Sequence, residues 1–320
     1  MADLTPEKLS QDAARKLAEP VVPRTLKTAI TANVTSARKT IWKFSKANPS
    51  GAIGGGVLLV IIVMALFASL LTPFRFDRSV GSRLAPMGSE ARAGGEMYLG
   101  ADEIGRDVFT RTLHGGRTSL YVGLAAPLIG VGIGLVLGIS SAYFGGVIDL
   151  TTQRVVDALL IVPGLVLAMV ITLSFGFSLQ IVIIAISINM IGGVSRVIRS
   201  HALALRESQY VEALRAMGAS DTRIIFKHLI PNSFAPAMVL FAVSVGGAIT
   251  TEASLSFLGL GIAPPRPSWG SMLSNAQQYF RTGIHIVLVP GIAIGVTVLA
   301  VNLFGDALRD ALDPRLRGRS

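Results

Sequence analysis

The chain has 320 residues, of which 51% are hydrophobic and 15% charged. Soluble domains carry about a quarter charged residues, so the composition excludes an ordinary soluble domain and defines a polytopic membrane protein. The absence of cysteine excludes disulfides and thiolate metal sites, and a formal charge of +10 fits either a nucleic acid partner or the basic cytoplasmic faces of a membrane protein.

Residues 1–52 are polar and hold nine lysines and arginines, from Lys8 to Lys46. They lack the short basic region and brief apolar core of a cleavable signal. They read as a basic cytoplasmic tail, partly amphipathic helix, of the kind that attracts anionic lipid. A spanning helix needs about 20 apolar residues. The first such run, Ile53 to Thr72, predicts a transmembrane helix over 53–73. The polar stretch 74–118 has no long apolar run and reads as an extracytoplasmic segment. A transmembrane domain over 119–310 follows, with spans at about Ser119–Ala142, Val155–Leu173, Leu179–Val194, Phe234–Thr251 and Ile284–Phe304. Residues 311–320 form a C-terminal tail. The predicted fold class is all-α, with six transmembrane helices.

Six spans put both termini on one side, and the basic residues choose it. The termini, the connection 143–154 and the loop 195–232 together hold 20 of the 29 lysines and arginines, including all seven lysines. Both termini and the central loop are therefore cytoplasmic, and the charge belongs to a membrane face rather than to a nucleic acid site. The seven arginines of 73–118 conflict with this assignment. No Asp, Glu, Lys or Arg falls in the central part of a predicted span. Asp149, Arg154 and Asp157 crowd the start of the third, and Glu252 and Asp306 mark span ends. Ion-coupled carriers usually hold an ionisable group at membrane depth, although backbone carbonyls alone can also form an ion site; the pattern favours energy supplied from outside the membrane. Pro127, Pro163 and Pro290 should kink their helices. Gly130, Gly134 and Gly138 repeat every four residues, which lets helices approach closely, within this chain or against a second subunit.

Chemical motifs are absent. There is no G-x-x-x-x-G-K-[ST] phosphate loop and no H-E-x-x-H. The histidines His114, His201, His228 and His285 have no ligand spacing. Glu96, Asp102, Glu103 and Asp107 lie beside arginines and read as ion-paired or solvated rather than as an acid–base pair. No catalytic residue, metal ligand or bound cofactor is expected.

The central loop 196–232 is the longest polar interruption in the second half of the chain. It reads as two short helices around a turn. Tyr210, Ala213, Leu214 and Met217 form an apolar stripe at helical spacing. Gly218 follows as the residue that adopts a left-handed turn, with Ala219 after it. Ser220 is the expected N-cap of the second helix, and Asp221 suits its first turn. Ile224, Ile225, Phe226, Leu229 and Ile230 continue that helix, and Pro231 is expected to end it. Flanking hydrophobic segments argue against a DNA-reading helix–turn–helix. An amphipathic loop resting on the bilayer is the plain alternative to a docking site.

Glu212-Ala213-Leu214, Gly218 and Ile230-Pro231 resemble the EAA loop of ABC importer permeases, with Leu214 where a second alanine is usual. Leu99 to Asp107, Asp157 to Pro163, Glu252 to Gly261, Pro264 to Gly270, and Gly305-Asp306 with Leu312 to Arg315 are similar to stretches of dipeptide, oligopeptide and nickel permeases of the DppC/OppC type. The resemblance implies type I importer architecture in a bacterial or archaeal cytoplasmic membrane. It implies a second homologous permease, two cytoplasmic ATPases that hold ATP and magnesium, and an extracytoplasmic binding protein. It assigns Tyr210, Glu212, Ala213, Leu214, Gly218, Ala219, Ile230 and Pro231 to contact with an ATPase. Glu212 would pair with a loop arginine such as Arg215, or with a basic group on that partner. Without ATPases, the chain would be a secondary transporter or channel, or a membrane scaffold.

The connection from Glu252 to Gly283 is too apolar and glycine-rich for a solvated loop. It is expected to be ordered, or the fifth span extends by a turn or two. Leu255, Phe257, Leu258 and Leu260 are placed at the pathway's outer mouth, and Trp269 is read as an interfacial anchor.

Overall fold

A computed structural model describes residues 45–46, 48–92 and 94–312. The basic tail 1–52 thus lies mostly outside the described residues, as does most of the tail 311–320.

The first helix, α1 (Pro49–Leu66), opens on a proline, whose missing N–H costs nothing at that position. A short helix, α2 (Ala68–Leu71), continues it after a break at Phe67. Arg117 caps that break, its guanidinium donating to the carbonyls of Ala65 and Leu66 and to Ser69 Oγ. The last carbonyls of a helix have no partner within it, so a buried end needs such a donor.

Next comes a compact outer segment around a hairpin of β1 (Ser89–Glu90) and β2 (Glu96–Met97), the only sheet among the described residues. Ala85, Ala91, Met97 and Ala101 form its small core. Asp102 anchors the end, accepting from the Ile104 and Arg106 amides at 3.0 and 2.8 Å and from Arg106 Nε at 2.6 Å. Arg106 also holds Glu103 at 2.7 Å. These carboxylates form ion pairs, as the neighbouring arginines led us to expect. Asp107 is the N-cap of the next helix, accepting from Thr110 N at 2.7 Å and Thr110 Oγ1 at 2.6 Å. Burial pushes its carboxyl above the ordinary carboxylate value, against the pull of the Thr110 hydrogen bonds.

That helix, α3, runs from Val108 to Phe144, 37 residues. It starts well before the predicted Ser119, because Asp107 caps it there. At 1.5 Å per residue it is about 55 Å long, against a hydrocarbon core of about 30 Å. Its first turns, with Arg111, His114 and Arg117, therefore stand outside the apolar layer. Pro127 lies inside it without ending it.

The predicted third span is not one straight helix. It divides into α4 (Gly146–Ile161) and α5 (Gly164–Phe175), bent by 90° at the break. A residue before proline is pushed out of the helical region. Val162 is extended at φ −82°, ψ 125°, and Pro163 follows at φ −54°, ψ 129°. Two extended residues in succession turn the chain rather than kink it. Then come α6 (Leu179–Arg206), capped by Ser178, and, after the central loop, α10 (Phe234–Phe257), α11 (Trp269–Ala276) and α12 (Ile284–Leu312). Among the described residues, five helices are long and apolar enough to cross a membrane, or six if the bent pair counts as one span.

The four-residue glycine repeat faces α6. A Cβ on Gly130 would stand 2.9 Å from Met190 Cβ, on Gly134 2.8 Å from Val194 Cβ, and on Gly138 2.6 Å from the Ser195 carbonyl. The repeat is an intramolecular seam. At the far end of α1, Gly54 meets the Ala300 carbonyl of α12 in the same way.

Candidate functional site

The loop between α6 and α10 folds as α7 (Gln209–Ala216), α8 (Asp221–Ile224), a π-helical turn (Ile225–Leu229) and α9 (Ile230–Asn232). Ile224, Ile225 and Leu229 are buried against Ile139 and Tyr143 of α3 and Ile198 of α6. This cluster makes the loop a rigid extension of the bundle.

The predicted stripe on α7 splits in two. Val211 is fully buried, and Leu214 packs against the same cluster. Tyr210, Ala213 and Met217 face out, Met217 at 74% exposure. Both rows obey helical spacing, and packing on α3 and α6 chooses the Val211–Leu214 row. Phe226 is exposed too, so the outward face carries apolar side chains beside the carboxylate of Glu212.

Gly218 has φ +76°. Its amide donates to the Arg215 carbonyl at 2.9 Å, and the Ala219 amide reaches back to Leu214 O at 3.0 Å. These bonds form a Schellman motif, with Ala219 and Leu214 as its apolar contact. Ser220 holds the N-cap position in extended backbone, but its side chain makes no capping bond. The Asp221 carboxylate instead accepts from Tyr143 Oη at 2.6 Å. The Arg215 guanidinium carbon lies 5.0 Å from the Tyr143 ring centroid, within reach of a cation–π contact. Tyr143 thus ties both sides of the turn to α3, a role sequence reading missed. Replacing Tyr143 by Phe removes a hydrogen bond to a charged acceptor, worth about 1.5–3 kcal/mol. Faster amide exchange across 209–226 is the expected result, and unchanged exchange would show that this tyrosine does not hold the turn.

Pro231 does not end the second helix. The Ile230 amide bonds to Ile225 O, one residue wider than an α-helix, and helical backbone continues to Asn232. A proline cannot supply a hydrogen bond and crowds the carbonyl four residues back. The π turn widens the helix just where Pro231 enters. Glu212 does not pair with Arg215; no ion pair of Glu212 is formed among the described residues, and its side chain is exposed.

A second set of polar contacts fixes the same end of the bundle. Arg199 Nε donates to Asp149 Oδ1 at 2.6 Å, tying α6 to α4. Arg206 Nη1 donates to the Ala142 carbonyl at 3.0 Å, and Arg196 pairs with Asp157. The two carboxylates crowding the start of the third predicted span, Asp149 and Asp157, are thus matched by arginines of α6.

At the opposite end, α10 closes with a second Schellman motif. Gly259 has φ +78°, and Leu260 N donates to Leu255 O at 2.9 Å. Leu255 is buried, Leu260 packs beside it, and Phe257 and Leu258 are exposed. The fifth helix extends to Phe257, as the alternative reading of this connection has it, and the chain then turns at Gly259. Glu252 lies inside α10 rather than at its end. It is fully buried and accepts from Ser119 Oγ at 2.9 Å and Ser256 Oγ at 2.7 Å. Trp269 is no interfacial anchor. It is 3% exposed, lies against Gly115 and Gly116 of α3, and donates from Nε1 to Thr112 O at 2.9 Å.

Residues 130–318 match a family described as binding-protein-dependent transport system inner membrane component. Residues 36–86 match the N-terminal transmembrane domain of oligopeptide transport permease C. The chain is 37% identical over 286 residues to the glutathione transport system permease protein GsiD of Pectobacterium atrosepticum, covering 89% of this chain and 93% of that one. It is 39% identical over 277 residues to the dipeptide transport system permease protein DppC of Alkalihalophilus pseudofirmus, covering 86% and 89%. A putative peptide transport system permease protein of Brucella suis is 41% identical over 266 residues, covering 83% and 88%. An inward-facing MetNI methionine ABC transporter structure shares the fold, at a TM-score of 0.50 and 18% identity over 63% of this chain and 96% of that chain. The chain belongs to the family of binding-protein-dependent transport system inner membrane components. It is a multi-pass permease subunit of an ABC importer.

Proposed function

We propose that this permease imports di- or oligopeptides, forming half of a translocation pathway with a second, homologous permease. Two cytoplasmic ATPases bind ATP and magnesium and dock on the outward face of α7 and α8, which carries Tyr210, Glu212, Ala213 and Gly218. Leu214, Ala219 and Ile230 pack on the buried cluster and support that face from behind, and the exposed Pro231 adds to the contact. The observation that carries this reading is the clamped Gly218 turn, which presents apolar groups and one unpaired carboxylate on a rigid platform. Closure of the ATPases would draw two such platforms together, and helix packing would carry the movement to the spans. Phe257 and Leu258, with Leu255 and Leu260 behind them, are placed at the outer mouth, where a binding protein delivers substrate. The named relatives supply the peptide class.

The test is uptake of labelled dipeptides into proteoliposomes holding this chain with its partner permease, ATPases and binding protein. ATP-dependent uptake is expected. Uptake by this chain alone, driven by an ion gradient, would overturn the reading in favour of a secondary transporter. Sidedness is checked separately by fusing an alkaline phosphatase reporter after Arg92 and after Ser320. We expect activity at the first and none at the second, and the reverse would invert the topology.

A further inference from the structure

Three connections meet at the end of the bundle away from the central loop: the segment before α3, the α5–α6 turn, and the chain between α10 and α11. The Ala263 amide bonds to Phe177 O at 3.0 Å and joins two of them. They enclose a cavity of about 280 Å³ whose polar lining includes Arg106, Arg111, Arg266, Ser271, Ser274 and Asn275, and no carboxylate. Most of these groups are already engaged. Arg106 holds Asp102 and Glu103. Arg111 lies 3.4 Å from Asp102 and donates to the Phe76 carbonyl at 3.1 Å. Ser271 is committed to the capping box of α11, and Ser274 Oγ donates to Phe257 O at 2.8 Å. Arg266 and Asn275 remain. Both are exposed, and neither makes a hydrogen bond or ion pair with the described residues.

The charge balance points the same way. The carboxylates of Asp102 and Glu103 offset Arg106 and Arg111, which leaves the positive charge of Arg266 facing the cavity. A guanidinium is a planar fork that matches a carboxylate through two parallel hydrogen bonds, and an amide N–H adds a third donor. The volume is near the lower end for ligand pockets, about 300–1,000 Å³, so it suits one terminal residue rather than a whole peptide. We infer that this cavity receives the C-terminal carboxylate of a peptide, with Arg266 as the forked partner and Asn275 as a second donor. The peptide identity rests on the function proposed above; carboxylate recognition rests on the cavity alone.

The full chain, in lipid nanodiscs with its co-purifying subunits, is treated with the arginine reagent phenylglyoxal. Modification of Arg266 is followed by mass spectrometry of the peptide that carries it. Dialanine and its C-terminal amide serve as probes, titrated to about 50 mM, above the millimolar affinity expected of so small a contact. The expected result is that dialanine slows modification of Arg266 about tenfold near saturation, as only the free site reacts, while the amide leaves the rate unchanged. Equal protection by both probes, or by neither, overturns the inference. ATP-driven dipeptide uptake by the same subunits reconstituted into proteoliposomes separates the two claims. Protection without uptake keeps the carboxylate site and removes the transport reading; uptake without protection removes the site alone.

Discussion

Replacing Gly218 by Val should leave a permease that inserts normally and imports little. Gly218 sits at φ +76°, where a β-branched residue is a genuine outlier. No atom outside its neighbours would lie within 4 Å of an added Cβ, so the obstacle is the backbone and not space. Such strain costs about 1–3 kcal/mol. The chain can relieve it by shifting α8 against α7, which the Tyr143 contacts to Asp221 and Arg215 and the buried Ile224 resist. Each 1.4 kcal/mol is tenfold in population, so the docking shape should be depleted about tenfold to hundredfold. Gly218→Asn is the control, because asparagine tolerates this region and should recover most activity. Glu212→Lys reverses the exposed carboxylate of α7 without touching the turn. We expect it to weaken ATPase recruitment while leaving the turn's stability unchanged. Membrane abundance, ATPase co-purification and hydrolysis stimulated by loaded binding protein are measured for all three. Gly218→Val and Glu212→Lys matching wild type in every assay would remove this loop from the coupling machinery.

Much of this architecture is legible because it is local. Apolar run length locates the spans, and Gly218 announces a left-handed turn without help from tertiary structure. Pro163 was visible as a disturbance, but its size was not. A kink and a 90° turn share one sequence signature, and only the extended conformation of Val162 together with Pro163 tells them apart. The start of α3 was hidden for a different reason. Arg111, His114 and Arg117 break the apolar run that marks a span, although Asp107 followed by Thr110 forms a helix cap. Trp269 was misread because its partners, Thr112, Gly115 and Gly116, belong to that same unrecognised stretch of helix.

The docking face was half legible. Two overlapping rows on α7 satisfy the helical period, and nothing within eight residues ranks Val211 above Tyr210 as the buried one. Packing on α3 and α6 settles that choice. Tyr143 lies outside the loop by sequence and inside it by contact, 78 residues from Asp221. Contacts of that separation leave no periodic trace.

The glycine seam supplies the second large effect, and it carries its own control. Gly134→Val would place side-chain carbon where Val194 Cβ of α6 already stands, 2.8 Å from an added Cβ. Neither helix can yield locally, because Gly130 and Gly138 hold the same close approach one turn on either side. Overpacking of this kind costs about 1–3 kcal/mol at a single site, and separating the helices would also open the contacts at both neighbouring glycines. Gly132 is on the same helix, yet an added Cβ there meets nothing within 4 Å, and the residue is exposed. Gly132→Val exchanges glycine for a residue whose helix propensity is better by only about a few tenths of a kcal/mol, and it adds no clash. The expected outcome is a sharp loss of monodisperse protein and a lowered midpoint for Gly134→Val in thermal scans of the detergent-purified chain. Gly132→Val should keep both near wild type. The double variant Gly130→Val/Gly138→Val should give no folded protein. Equal behaviour of Gly132→Val and Gly134→Val would mean that α3 and α6 do not meet along this seam in the membrane, and the clamp that Tyr143 places on the loop would lose its support.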